Sequence, residues 1–143
     1  MARSKRITVV GCVLVLSLAL GTASAEVVVI VSAQSPVSAL TRAQLADIYL
    51  GRSNRLPNGD PVVPIDQAFG SAAHDLFYRD YIGRSTALIK AHWSRLIFTG
   101  RGQPPKAVPN DSATAEIVAE NPNTIGYVDS GHVDIRLRIV PIE

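Results

Sequence analysis

Five consecutive β-branched residues, Val27–Val31, constrain the fold of this chain more than any other feature. A strand with one face in water alternates apolar and polar residues, whereas an unbroken apolar run is typical of a strand buried on both faces of a parallel sheet. Burial on both faces requires a layer of helices on each side of the sheet. The run therefore predicts an α/β fold: a single compact domain in which helices flank a mostly parallel or mixed sheet.

Helix signals alternate with strand signals along the rest of the chain, as this fold requires. Thr41 and Gln44 fit a capping box, and Gly51 ends the helix that begins there. The expected helix N-caps are Thr41, Ser71 and Ser85, and a fourth helix is expected to start at Asp111 or Ser112. The third of these helices is expected to bury an apolar stripe formed by Leu88, Ile89, Trp93, Leu96 and Ile97.

The other strands are shorter and their signals are weaker. Apolar stretches predict strands at residues 62–65 and 125–128, and the alternation of apolar and charged residues over 133–139 predicts a half-exposed strand. Residues 101–110 contain three prolines and are expected to form an irregular loop. Together with the run at 27–31, these strands supply the sheet between the helices.

The N-terminus has the layout of a secretory signal peptide. A basic stretch at residues 3–6 precedes an apolar run over residues 7–20, and Ala23–Ala25 is a small-residue cleavage site. The apolar run is shorter than the roughly 20 residues that a membrane-spanning helix needs. The sequence therefore predicts a signal peptide over residues 1–25, a single domain over residues 26–143, and a periplasmic or secreted protein.

Cleavage of the predicted signal peptide changes the net charge of the remaining chain. Three of the 14 Lys and Arg residues lie in the signal, which leaves 11 basic against 12 acidic side chains. This balance argues against nucleic acid as a partner. The only cysteine, Cys12, also lies in the signal, so no disulfide is expected. A lipoprotein box ending at Cys12 is the alternative, although it leaves almost no apolar run before the cysteine.

Four stretches carry a family pattern. They are VVVIVSAQSPVSALTRAQLADIYLG (27–51), VVPIDQAFGSAAHDLFYRDYIG (62–83), HWSRLIFTGRGQPP (92–105) and AENPNTIGYV (119–128). They resemble the periplasmic phosphate-binding protein of ABC transporters, and more closely its short single-domain relatives. The resemblance implies one lobe of a type 2 periplasmic binding protein that holds a ligand at helix N-termini. It also implies a small oxyanion such as phosphate as ligand, and a membrane transporter or sensor protein as partner.

The stretch FGSAAHDLF (69–77) is the first candidate site, because a glycine and a serine precede a helix start whose unpaired N–H groups attract anions. The family's loop reads Arg-x-Asp-Gly-Ser-Gly-Thr, and here Gln67 and Phe69 replace the arginine and the aspartate. Only Gly70 and Ser71 match, so much of the loop's charge is lost. The full-length phosphate binders also have a second lobe and run to more than twice the length of residues 26–143.

A second candidate site follows Asn110, where Ser112 and Thr114 could donate hydrogen bonds. The residues expected to contact a ligand are Gln67, Gly70, Ser71, Ala72, His74, Ser112 and Thr114. The two serines are also ordinary helix N-caps, and the sequence leaves both interpretations open.

Catalytic and metal-binding patterns are weak. The carboxylates of Asp66, Asp75, Asp80, Glu116 and Glu120 lack the spacing of an acid/base pair and are expected to lie on solvated helix faces. His74, His92 and His132 fall on separate elements without the spacing of a metal site. We therefore expect no enzyme, no metal and no cofactor. Two functions remain: weak oxyanion binding linked to phosphate transport, or a non-transport interaction or sensing module that keeps the fold.

Overall fold

The computed structural model describes residues 25–143, so the predicted signal peptide, except Ala25, lies outside the described residues. In chain order the elements are β1 (Val27–Ser32), α1 (Arg42–Tyr49), β2 (Val63–Gln67), α2 (Ala72–Phe77), a π-helical turn (Tyr78–Ile82), α3 (Thr86–Phe98), β3 (Lys106–Val108), α4 (Asp111–Glu120), β4 (Thr124–Asp129), a 3-10 turn (Ser130–His132) and β5 (Leu137–Ile139). Among the described helices, none is long and apolar enough to cross a membrane.

The five strands form one mixed sheet in the order β3-β2-β4-β1-β5, which confirms the predicted α/β class. β2 runs parallel to β3 and β4, whereas β1 runs antiparallel to both of its neighbours, β4 and β5. All six residues of β1 are buried, as predicted. The expectation that such burial reflects a parallel pairing is wrong, because a strand is buried by the layers above and below it, whatever the direction of its neighbours.

Two apolar cores cover the two faces of the sheet. Alternate residues of β1 point into different cores, with Val29 in one and Ile30 in the other. The larger core packs α1, α2 and α3 against the sheet, and the smaller core packs α4 against the opposite face. The molecule is therefore a three-layer α/β/α sandwich, which explains why β1 carries no polar residue before Ser32.

The predicted helix starts are confirmed at the first three helices. The N–H of Thr41 donates to Oε1 of Gln44 over 2.9 Å, and the N–H of Gln44 donates to Oγ1 of Thr41, which completes the capping box. Ser71 and Ser85 cap α2 and α3. The fourth predicted start is confirmed as well, because α4 begins at Asp111; its N-cap is Asn110, which accepts the N–H of Ala113 over 2.9 Å.

Two strand predictions need correction. Residues 106–108 are not an irregular loop but the edge strand β3, which is too short to show any periodicity in the sequence. The half-exposed strand predicted over 133–139 is reduced to Leu137–Ile139. Ile135, which was expected to face the core, is 95% exposed in the turn before it.

The apolar stripe of α3 is narrower than predicted. Ile89 and Trp93 are buried, but Leu88 is 57% and Ile97 is 53% exposed. These two residues are nine positions apart, which is about half a turn around a helix of 3.6 residues per turn, so they cannot face one core. His92 lies in the buried face of α3 beside Ile89 and Trp93, and its Nε2 is 2.9 Å from the carbonyl oxygen of Leu50.

Candidate functional site

Both candidate loops lie at the same edge of the sheet. The parallel strands β2 and β3 end at Gln67 and Val108, and their carboxyl ends are neighbours because Gln67 pairs with Val108. Helices α2 and α4 begin five and three residues after these strand ends. The carboxyl edge of parallel strands is where α/β proteins bind ligands, since helix N-termini meet there.

The loop before α2 is a tight turn that leads directly into the helix N-terminus. Gly70 has a φ of +84°, which a side chain would strain. The N–H of Ser71 donates to the carbonyl of Ala68, and its Oγ accepts the N–H of His74, so Ser71 serves as an N-cap. Within residues 25–143, the N–H groups of Ala72 and Ala73 have no acceptor. These two donors remain for a ligand.

The side chain of His74 is withdrawn from solvent. Its ring is fully buried and packs in tilted geometry against the rings of Phe69 and Tyr78, with centroid distances of 4.7 and 4.5 Å. Nδ1 lies 3.3 Å from Oδ1 of Asp75, and Nε2 has no hydrogen-bond partner in the described part of the chain. The hydroxyl of Thr86 donates to Asp75 and, with His74, lowers the pKa of that carboxyl. The ring of Phe69 therefore covers the donor that His74 was expected to offer.

Gln67 links the two loops through its side chain. Its Nε2 donates to Oδ1 of Asp111 over 2.7 Å and to the carbonyl oxygen of Tyr127 over 3.0 Å. Gln67 is buried, and the second carboxylate oxygen of Asp111 lies 3.6 Å from Nδ1 of His132. A carboxylate of the chain itself thus lies beside Gln67, at the position that the resemblance gives to an arginine. This carboxylate repels an incoming anion.

The loop before α4 offers fewer donors than the sequence indicated. Thr114 is fully buried, and its hydroxyl donates to the carbonyl oxygen of Asn110 over 3.2 Å. Ser112 is exposed at the helix start and does not cap the helix, because Asn110 does. Of the two predicted donors in this loop, only the hydroxyl of Ser112 faces solvent.

Sequence reasoning missed the buried polar cluster behind the site. Asp66 is buried in β2 and accepts hydrogen bonds from the hydroxyl of Tyr78 over 2.7 Å, from the hydroxyl of Tyr127, and from the N–H of Gln67 over 2.8 Å. The expectation that Asp66 lies on a solvated helix face is wrong. Burial raises the pKa of both tyrosines above the usual value, and the negative charge of Asp66 raises it further. The position of Asp66 directly after the apolar strand residues was the available signal.

Lys90 is a second residue that the sequence did not single out. It lies on α3, and its Nζ is 5.8 Å from the centroid of the Phe69 ring, next to the Gly70 turn. It therefore brings a positive charge to a loop that lacks the family's arginine. Among residues 25–143, no group of three or more His, Cys, Asp or Glu side chains could hold a metal ion.

The fold is similar to that of solved phosphate-binding proteins. A Clostridium perfringens protein, solved with bound phosphate and assigned to the substrate-binding proteins of phosphate ABC transporters, superposes with a TM-score of 0.65 at 21% identity, over 82% of this chain and 45% of that one. An ABC-type phosphate transport receptor from Vibrio cholerae gives a TM-score of 0.55 at 18% identity, over 82% and 46%. PstS from Borrelia burgdorferi gives 0.59 at 15% identity, over 83% and 47%.

These likenesses confirm the resemblance at the level of the fold: the chain has the architecture of one lobe of such a binding protein. The chain spans less than half of the length of the structures it matches. No family model and no curated protein matches the sequence.

Proposed function

We propose that the protein is an exported, solute-binding-like protein without enzymatic activity that binds a small oxyanion such as phosphate weakly. The site is the edge of the sheet where α2 and α4 begin, and its contacts are Gly70, Ser71, Ala72 and Ser112, with Lys90 nearby. Three further predicted contacts are buried and support the two loops from the protein interior: Gln67, His74 and Thr114. A membrane transporter or a sensor protein is the expected partner.

The observation that carries this proposal is the hydrogen bond from Gln67 to Asp111. It ties the end of β2, which leads into the loop before α2, to the first residue of α4. A helix N-terminus stabilises negative charge, and both α2 and α4 begin at this edge of the sheet. The fold similarity to phosphate-binding proteins supports the same ligand class.

The binding is expected to be weak, with a dissociation constant in roughly the upper micromolar to millimolar range. Gln67 stands where the resemblance places an arginine, and the carboxylate of Asp111 opposes the ligand's charge. The site is also open to water on one side, where hydrogen bonds to an anion are worth less than in a closed cleft.

Phosphate titration by calorimetry tests the site. Asp111→Asn removes one repulsive charge while an amide can still pair with Gln67, so we expect the affinity for phosphate to rise about tenfold. Glu120→Gln is the matched control, because it makes the same charge change at the opposite end of α4 and should leave the affinity within about twofold. Sulfate and arsenate titrations give the selectivity.

Two outcomes would contradict the proposed binding. If neither the native protein nor Asp111→Asn gives a heat of binding at millimolar phosphate, the proposed oxyanion function is wrong. An equal rise in phosphate affinity in Asp111→Asn and Glu120→Gln would mean that the gain comes from the net charge of the protein and not from this site.

Export is tested separately, by the intact mass of the protein recovered from the periplasm. We expect a chain that begins at Glu26, because Ala23–Ala25 fits the cleavage pattern. A mass that retains residues 1–25, or a lipid-modified chain that begins at Cys12, would contradict this expectation.

A non-transport interaction or sensing module is the second candidate. It is favoured by the use of Gln67, whose amide group donates both of its hydrogen bonds within the chain. The amide N–H groups of Gln67 therefore have hydrogen-bond acceptors without a ligand. Failure of both phosphate titrations, with a correctly folded protein, would support this candidate over the first.

A further inference from the structure

The charges of residues 26–143 are separated into two regions. Residues 81–110, here called the basic segment, contain Arg84, Lys90, Arg95, Arg101 and Lys106 and no acidic residue. All 12 acidic residues lie outside the segment, with the remaining six basic residues. Within residues 25–143, no side chain of the basic segment forms an ion pair. The segment therefore presents five uncompensated positive charges.

Helix α3 (Thr86–Phe98), which lies within this segment, has an apolar face that belongs to neither core. Leu88, Ala91, Arg95 and Phe98 are exposed and lie three or four residues apart, so they share one side of the helix, here called the exposed α3 face. Phe98 is 92% exposed. The opposite side of α3 carries Trp93 and packs into the larger core. Neither Leu88 nor Phe98 belongs to either of the two apolar cores.

We propose that the exposed α3 face docks on a membrane surface that carries anionic phospholipid headgroups. Leu88 and Phe98 would enter the boundary between headgroups and acyl chains, while Arg95 and Arg101 remain at headgroup level. Helices that lie on membranes combine these features, with apolar residues on the buried side and Lys or Arg along its border. The aliphatic stem of Arg95 can follow the apolar residues while its guanidinium reaches the phosphates.

The shape of the face favours a lipid surface over an acidic protein. The face is the convex side of a single helix, and one recess beside α3 lies on the other side, where it is lined by Trp93, Gly51 and Pro104. A protein partner gains specificity by filling recesses with anchor residues. A bilayer needs no complementary recess, because headgroups and acyl chains rearrange around the inserted side chains.

Vesicle flotation with the chain over residues 26–143 tests the proposal. We expect the protein to float with phosphatidylcholine vesicles that contain phosphatidylglycerol, to remain behind with pure phosphatidylcholine, and to dissociate at high salt. Arg95→Gln combined with Arg101→Gln should weaken partition roughly 20-fold, at about fivefold per charge. Phe98→Ser should weaken it roughly tenfold.

Matched controls make the same changes outside the basic segment. Arg52→Gln combined with Arg79→Gln removes two exposed positive charges elsewhere, and Ile135→Ser removes a side chain that is 95% exposed. Both controls should bind anionic vesicles within about twofold of the native protein, because neither changes the exposed α3 face.

Three results would overturn the proposal. An equal loss of vesicle binding in the Arg95/Arg101 variant and in the Arg52/Arg79 variant would mean that binding depends only on the net charge of the protein. A concentration-dependent dimer that Phe98→Ser abolishes, without flotation, would assign the face to a second copy of the chain. Absence of flotation at low salt, with a monomeric protein, would leave an acidic protein as its occupant. The phosphate titrations do not involve this face, so the two proposals can fail independently.

Discussion

Replacing Asp66 with alanine is expected to lower the free energy of unfolding by about 4 kcal/mol. The carboxylate accepts hydrogen bonds from two buried tyrosine hydroxyls and from the N–H of Gln67. Removal of the acceptor leaves the two buried tyrosine hydroxyls without a partner, and each costs roughly 1–3 kcal/mol, whereas the N–H of Gln67 keeps the Tyr127 oxygen as an acceptor. Urea unfolding followed by circular dichroism measures the loss.

Two further variants separate this cluster from a general effect of charge. Asp66→Asn keeps the shape and one acceptor oxygen, so we expect a smaller loss of about 2 kcal/mol. Asp47→Ala removes an exposed aspartate that pairs with Arg52, and should cost at most about 1 kcal/mol. Equal effects of Asp66→Ala and Asp47→Ala would mean that water replaces the carboxylate and that the buried cluster contributes little.

The features that the sequence predicted correctly depend on neighbouring residues. The capping box at Thr41 needs only Gln44, three residues away, and the caps at Ser71 and Ser85 are equally local. The burial of Val27–Val31 follows from five consecutive residues. Where one short segment contains both the cause and the effect, composition and spacing are sufficient evidence.

The features that the sequence missed depend on contacts between distant segments. Asp66 is satisfied by Tyr127, 61 residues away, and the partner of Gln67 is Asp111, 44 residues away. The edge strand β3 exists because β2 lies beside it. Periodicity along one segment carries no information on such partners, so a buried aspartate was mistaken for a solvated one.

The same limit applies to the candidate site. The sequence located both loops and the glycine at the turn, because Gly70 and Ser71 precede a recognisable helix start. It could not indicate that the ring of Phe69 covers His74 or that a carboxylate lies beside Gln67. Site residues that follow from a motif were found, whereas the charge at the site depends on how the two loops pack.

Raising the pH above about 10 is expected to destabilise the protein steeply. Tyr49, Tyr78 and Tyr127 are buried, and burial raises the pKa of each phenol above its usual value, with a further rise from the charge of Asp66. In the unfolded chain these phenols ionise near pH 10, so the unfolded state loses protons first. The stability that they contribute is therefore fully present below about pH 10 and is lost as the pH rises towards the folded-state pKa.

The slope of this loss identifies the groups that cause it. Each buried tyrosine contributes up to about 1.4 kcal/mol per pH unit, so all three give up to about 4 kcal/mol per unit above pH 10. Urea unfolding at several pH values measures the slope. The tyrosinate absorbance of the three buried tyrosines should rise together with unfolding and not before it. The half-buried Tyr81 should ionise at lower pH than these three. Tyr78→Phe should reduce the slope by about a third. Tyrosinate absorbance of all four residues in a protein that keeps its native circular dichroism would show that the hydroxyls reach water in the folded state.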